Sequence, residues 1–203
     1  MRNQELVETI AKRRSVRRFE ARALPAGTLQ RLVEVAATAP SAHHAQPWRF
    51  VIVAPGPGRK RLARAMAGRF HDDLEADGVD RRRIEQLVAA GRRRLVEAPG
   101  LVAVCLAKGA LAPATGRRRQ RIERALATQS VAAAATTLLL AAHAEGLGAY
   151  WLSAPLFAPG AVRRALDLPA DWDPQAFILV GYAAGKPPVR DQLPLDHVLS
   201  RRG

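Results

Sequence analysis

The sequence predicts one layered domain of helices packed on a small β-sheet, in class α+β or α/β. Three observations carry this. The stretch Gln129–Leu152 reads as one long apolar helix, a glycine stop and an apolar strand. Two more apolar runs of strand length, Leu101–Ala107 and Ala176–Tyr182, are set apart from it by helical patterns. Helices and strands then alternate along all 203 residues with no internal repeat and no low-complexity linker. A hydrophobic content of 48% places the chain among folded proteins. Residues 1–203 therefore form a single domain with room for a sizeable core.

Asn3 to Lys12 reads as a short amphipathic helix with Leu6, Val7 and Ile10 on one face. A dense cationic segment, Arg13-Arg14-Ser15-Val16-Arg17-Arg18, follows. Arginine forks and a serine at this spacing suit a phosphate, although a basic run is more often a solvated face. Pro25 is placed to open a second helix, Ala26 to Ala39, whose buried stripe is Leu29, Leu32, Val33 and Ala36. The loop Pro40–Pro47 carries Ser41, His43, His44 and Gln46 between two prolines, and the strand Trp48–Ala54 follows. Residues 59–76 and Arg81–Glu97 read as charged helices, the second capped by Asp80.

The second cationic block, Arg117–Arg124, leads into the central helix. From Val131 to Ala142 only Thr136 and Thr137 are polar. Such a run is too short to span a bilayer and reads as a buried core helix, covered on all sides. A homodimer wrapped around it is one way to cover it. Gly146 and Gly148 fit a helix C-cap, and Ala149–Leu152 a strand. A short helix from Pro159 to Leu166, a turn over 169–174 and the last strand complete the pattern.

The formal net charge is +14, nearly all from arginine. Compositional bias, nucleic acid or a small polyanionic ligand would each account for it. Aromatics at 5% and the lack of a recognised module argue against nucleic acid. Cys105 is the one cysteine, so no internal disulfide forms, as in a reducing cytoplasm, and a buried small hydrophobe is its expected role. Met1–Lys12 has no signal-peptide pattern, so a cytoplasmic protein without a membrane partner is expected. The adjacent His43 and His44 have no acidic or thiol partner at ligand spacing, so no metal site is expected.

Four motifs in order resemble those of the FMN-dependent nitroreductase superfamily: Arg13–Arg17; Pro40-Ser41 with Gln46-Pro47-Trp48; Gly146-Leu147-Gly148 with Trp151-Leu152; and Gly181-Tyr182 with Lys186-Pro187 and Arg190. The resemblance covers essentially the whole chain. It implies a mostly antiparallel sheet flanked by helices, and a homodimer with FMN in two interface clefts. It implies that Arg13, Arg14, Ser15, Val16, Arg17 and Arg190 hold the cofactor's phosphate side. Leu152, Ser153 and Ala154 would lie beside flavin N5. Pro40, Ser41, Ala42 and His44 would come from the other subunit. Catalysis would rest on the flavin, with no catalytic side chain. His44 stands where most of the superfamily has asparagine, and Ser153-Ala154-Pro155 where many members have a glycine pair.

Further segments, among them His43-His44, 73–78 and 168–174, are similar to the flavin domain of the bifunctional enzyme that makes coenzyme F-420. That likeness implies a deazaflavin substrate, dehydro-F-420, with Asp73 contacting it. The alternative is an NAD(P)H-dependent nitro or quinone reductase.

Overall fold

The computed structural model describes residues 3–189 and 191–202. Four strands, β1 (Trp48–Ile52), β2 (Gly100–Ala107), β3 (Gly148–Leu152) and β4 (Trp172–Gly181), form one antiparallel sheet in the order β1-β2-β4-β3. The helices are α1 (Asn3–Lys12), α2 (Thr28–Ala36), α3 (Pro57–Ala76), α4 (Arg81–Glu97), α5 (Arg117–Ala144), α6 (Pro159–Ala165) and α7 (Leu195–Val198).

Strand periodicity sorts the core into two layers. Val102, Val104, Leu106, Ile178 and Val180 point to one face, where α2 and α5 cover them. Leu101, Ala103, Tyr150, Phe177 and Leu179 point to the other, under α3, α4 and α6. Both faces are buried, which is why β2 is apolar throughout and not alternating. The expected helix-flanked antiparallel sheet is therefore found.

Several boundaries move, each for a physical reason. The helix expected over Ala26–Ala39 is Thr28–Ala36; Pro25 sits in the preceding turn, where its carbonyl accepts from Thr28 at 3.2 Å. Trp172-Asp173-Pro174 is strand and not turn. Proline is tolerated because β3 pairs with β4 only from Phe177 onward, and the β2 ladder shifts register opposite Pro174. Of the two glycines expected at the cap of α5, only Gly146 serves, at φ 74°. Its N–H donates to His143 at 3.0 Å and that of Leu147 to Ala142 at 2.8 Å, the paired bonds of a Schellman ending. Gly148 is the first residue of β3.

The central helix is longer than its apolar run. It starts at Arg117 and runs 28 residues, because arginine is a strong helix former and the cationic block supplies the first turns. At that length α5 could cross a membrane by length and hydropathy alone. Its sheet face, Val131, Ala134, Ala135, Leu138 and Ala142, is instead buried in the core. Coverage on every side is not reached within one chain: Ala132, Ala133, Thr137 and Leu140 are half-buried and Thr136 is exposed. The apolar face of α1 is open as well, with Leu6, Val7 and Ile10 exposed.

Cys105 is fully buried on β2. Burial, and then the Asp173 carboxylate, push its thiol up from 9.0 to about 12. A thiol raised in the folded state adds stability that is full below pH 9 and is lost as pH climbs toward 12, where only the unfolded chain has ionised. Cys105 should therefore resist a thiol-specific reagent at neutral pH until denaturant is added. Fast labelling of the folded protein would contradict this.

Candidate functional site

The cationic segment is stitched to the free edge of the sheet. β3 is an edge strand, and Ser15 bridges Ala149 in parallel sense, with the Val16 N–H donating to the Ala149 carbonyl at 3.1 Å. Further on, Phe19 bridges Ala183, and the Glu20 N–H donates to Tyr182 at 2.9 Å. Gly148 makes the close approach possible: a Cβ there would lie 2.7 Å from the Cβ of Val16. Val16 is buried, Arg13 and Ser15 are half-buried, and Arg17 is exposed. Arg14 turns back on the end of α1, donating to Ala11 at 2.6 Å and to Arg13 at 2.9 Å. No ion pair among the described residues uses Arg13 or Arg17. Arg190 lies outside the described residues.

The far end of β3 opens on a cavity of about 470 Å³. Leu152, Ser153 and Ala154 line it, together with Met66, Phe70 and Asp73 of α3 and Leu87 of α4. Asp73 accepts from Arg69 at 2.6 Å. The expected flavin-side residues and the expected substrate residue thus share one cavity. From Ala149 to Leu152 an extended strand advances about 10 Å, at roughly 3.3 Å per residue. One strand therefore has the basic Arg13–Arg17 segment bridged to one end and a largely apolar chamber at the other. That donor set fits a ligand with a phosphate at one end and a flat ring system at the other.

The loop Pro40–Pro47 is on the α5 side of the sheet and does not meet this cavity within one chain. It is built under strain: His43, His44 and Gln46 have φ of 54°, 52° and 44°. Left-handed non-glycine residues cost about 1–3 kcal/mol each and persist where surrounding bonds hold them. Here the Ser41 hydroxyl accepts from the Gln46 N–H at 3.1 Å, and the Ala42 N–H donates to the buried Ser130 hydroxyl on α5, also at 3.1 Å. The Ser130 hydroxyl donates to Leu126 at 2.8 Å. The His44 ring nitrogen is 3.3 Å from the Gln46 amide, and His43 is 3.9 Å from Glu123. Ser130→Ala should cost about 1–2 kcal/mol by denaturant titration, since it leaves the Ala42 donor without its acceptor. Unchanged stability would mean that the bond does not hold the loop.

Sequence reasoning missed Tyr150, Arg94 and Gly91. Tyr150 is buried beneath the edge, with the Arg17 guanidinium 5.4 Å from its ring centroid. Burial raises its phenol, against the opposing pull of Arg94 and Arg17. Arg94 and Gly91 line the cavity from α4. The readable signal was a glycine and an arginine in phase with Leu87, on the inward stripe of a helix.

The fold is a helix-flanked antiparallel sheet with a basic segment and an apolar chamber on one edge strand, and its class is that of the FMN-dependent oxidoreductases. Residues 10–182 match the nitroreductase family, and the chain belongs to that family. It is 32% identical over 188 residues to a 5,6-dimethylbenzimidazole synthase of Rhodospirillum rubrum, covering 87% of this chain and 81% of the relative. It is 31% identical over 201 residues to an NADH dehydrogenase of Thermus thermophilus, covering 93% and 91%. Among solved structures it matches oxidized iodotyrosine deiodinase bound to FMN and 3-iodo-L-tyrosine, with a TM-score of 0.73, 27% identity and 98% of each chain covered.

Proposed function

We propose that this chain is an FMN-dependent reductase acting as a homodimer. Each cofactor site would combine Arg13, Ser15 and Arg17 of one protomer with Pro40, Ser41, Ala42 and His44 of its partner. The observation that carries the reading is the two-ended edge strand: Ser15 bridges Ala149 at one end, and Leu152–Ala154 line the chamber at the other. Arg13 and Arg17 neutralise a phosphate, and the Ser15 hydroxyl adds a hydrogen bond. Arg190 completes that anchor in the resemblance. Ser153 precedes a 3₁₀ turn, Ala154–Phe157, in which Pro155 has no N–H and the Leu156 N–H donates to Ser153 at 3.0 Å, so the Ala154 N–H is the donor without an acceptor inside the turn. That N–H would hold the edge of a reduced ring system, as a donor does in an oxyanion hole. Bound FMN supplies hydride transfer at N5; the protein orients it and keeps water out.

The dimer reading rests on three open apolar surfaces: the outer stripe of α5, the face of α1, and Leu156 and Phe157, exposed by 53% and 72%. Light scattering should give a dimer at micromolar concentration; a folded monomer would refute it. A dimer would also bring the strained Pro40–Pro47 loop to a partner's site, which one chain cannot do.

A reduced nicotinamide as electron donor is supported by the name of the Thermus relative, an NADH dehydrogenase. A second reading, a deazaflavin acceptor of the F-420 type, is favoured by one observation: Phe70 and Asp73, in or beside the segments that carry that likeness, both line the chamber. Titration of the FMN-loaded protein with NADPH and with oxidised F-420 separates them. Rapid NADPH oxidation with reduction of quinones supports the first; tight F-420 binding with slow NADPH oxidation supports the second. A protein that takes up no FMN overturns both.

A further inference from the structure

The short connection over 77–80 folds α4 back along α3. Near that connection the arginines of both helices find acids one turn away: Arg69 pairs with Asp73 at 2.6 Å and Arg81 with Glu85 at 3.3 Å. The opposite end of the hairpin is built differently. A groove of about 530 Å³ lies there, lined by Lys60 and Arg64 of α3 and by Arg92, Arg93, Val96 and Glu97 of α4. Four cations thus share one concavity with a single carboxylate. No ion pair among the described residues uses any of them. Arg93 stands four residues before Glu97, the spacing of the pairs at the other end, yet the two are not joined.

This placement works against the fold's own electrostatics. Lys60 and Arg64, four residues apart, are a like-charge pair of the kind that destabilises a helix. They sit in the N-terminal half of α3, whose first turn holds no acid, while its acids Asp72, Asp73 and Glu75 gather near the C-terminal end. The helix macrodipole favours the reverse. A cleft of one sign with protein walls also focuses its field on whatever enters. An anion in the groove offsets all three effects. Arg92 lines the groove and the chamber alike, so the groove lies beside the chamber; it shares none of Leu152–Ala154.

We propose that this groove is a binding site for a compact polyphosphate, a chain of two or more linked phosphate groups such as a nucleotide carries. Guanidinium forks meet phosphate oxygens two at a time, and the Lys60 ammonium adds a point charge. A lone phosphate would leave most of the four cations unmatched. A nucleic-acid strand would call for aromatic side chains on which its bases stack, and Val96 is the one apolar residue lining the groove. The site is separate from the Arg13–Arg17 segment, so the proposal does not rest on the reductase reading.

The test is calorimetry on protein saturated with FMN, which keeps the flavin's own phosphate site filled, with tripolyphosphate and orthophosphate as probes at low salt. Wild type should bind tripolyphosphate about tenfold or more tightly than orthophosphate. Arg64→Gln combined with Arg93→Gln should lower tripolyphosphate affinity about tenfold or more. The same charge removed outside the groove, by Arg82→Gln with Arg117→Gln, should change it by less than about threefold, since exposed charges beyond about 10 Å are screened. Tripolyphosphate should raise the melting temperature of wild type and of the control but not of the groove variant. The groove variant without ligand should melt at or above the wild-type temperature, because a repulsion is relieved. Should that variant fail to fold, Lys60→Gln with Arg92→Gln takes its place. Equal tripolyphosphate affinity in wild type and groove variant, an equal loss in the control, or binding of a single-stranded oligonucleotide with none of tripolyphosphate overturns the proposal. FMN uptake, read by absorbance on the same samples, should be the same in all variants and reports separately on the reductase reading; a protein that takes up no FMN is titrated without it, since the groove variants identify the site.

Discussion

Arg59→Met should be the most destabilising conservative-volume change outside the site, costing about 3 kcal/mol. Arg59 is 1% exposed at the start of α3. Its guanidinium donates to the Val53 carbonyl after β1 and to the Ala98 carbonyl before β2. It thus ties α3 to both ends of the β1–β2 connection. Methionine fills much of the volume but leaves two carbonyls without donors, at about 1–3 kcal/mol each. Removing a buried charge offsets part of this, because burial alone already holds the guanidinium below its usual range. For a chain of this size the melting temperature should fall by roughly 6–12 °C, at about 2–4 °C per kcal/mol. A variant as stable as wild type would show that desolvation of the charge cancels both bonds.

Gly148→Ala should have the largest effect on cofactor binding. The new methyl would stand 2.7 Å from Val16 Cβ and Cγ1 and 2.8 Å from Cγ2. A β-branched side chain has little rotamer freedom with which to yield. The Arg13–Arg17 segment would therefore leave the edge of β3 and lose the 3.1 Å bond from Val16 to Ala149. Overpacking of this kind costs about 1–3 kcal/mol. FMN affinity should drop by about tenfold or more, since each charged hydrogen bond lost is worth roughly 1.5–3 kcal/mol. Adding Val16→Gly removes the colliding atoms and should restore part of both losses. A fluorescence titration in which Gly148→Ala binds FMN as wild type does would refute the anchor's geometry.

Local chemistry made much of the fold legible. The Asp80 cap forms as read, its carboxylate accepting from the Arg83 N–H at 3.2 Å, because capping depends on a few adjacent residues. The buried stripe of α2 and the apolar strands were readable for the same reason: their periodicities are fixed by backbone geometry. The Trp172–Pro174 turn was misread because proline's tolerance there depends on where a distant strand stops pairing. Gly148 looked like a cap because a glycine needed for close approach and one needed for positive φ are the same letter.

The sequence by itself determined the layered fold and the family motifs, Arg13–Arg17 and Trp151-Leu152 among them, since each is a pattern of neighbours along the chain. Only the tertiary structure decided what those residues share. It put Ser15 on the edge of β3 and Asp73 in the same chamber as Leu152–Ala154. It also set the Pro40–Pro47 loop against Ser130 on the α5 side of the sheet, and left Gly91 with open space where a Cβ would stand. The physical reason is that packing two helical layers on a twisted sheet brings together residues far apart in the chain. Whether a small or charged side chain on a helix meets a neighbour, solvent or a cavity depends on that packing and on nothing within its own few turns.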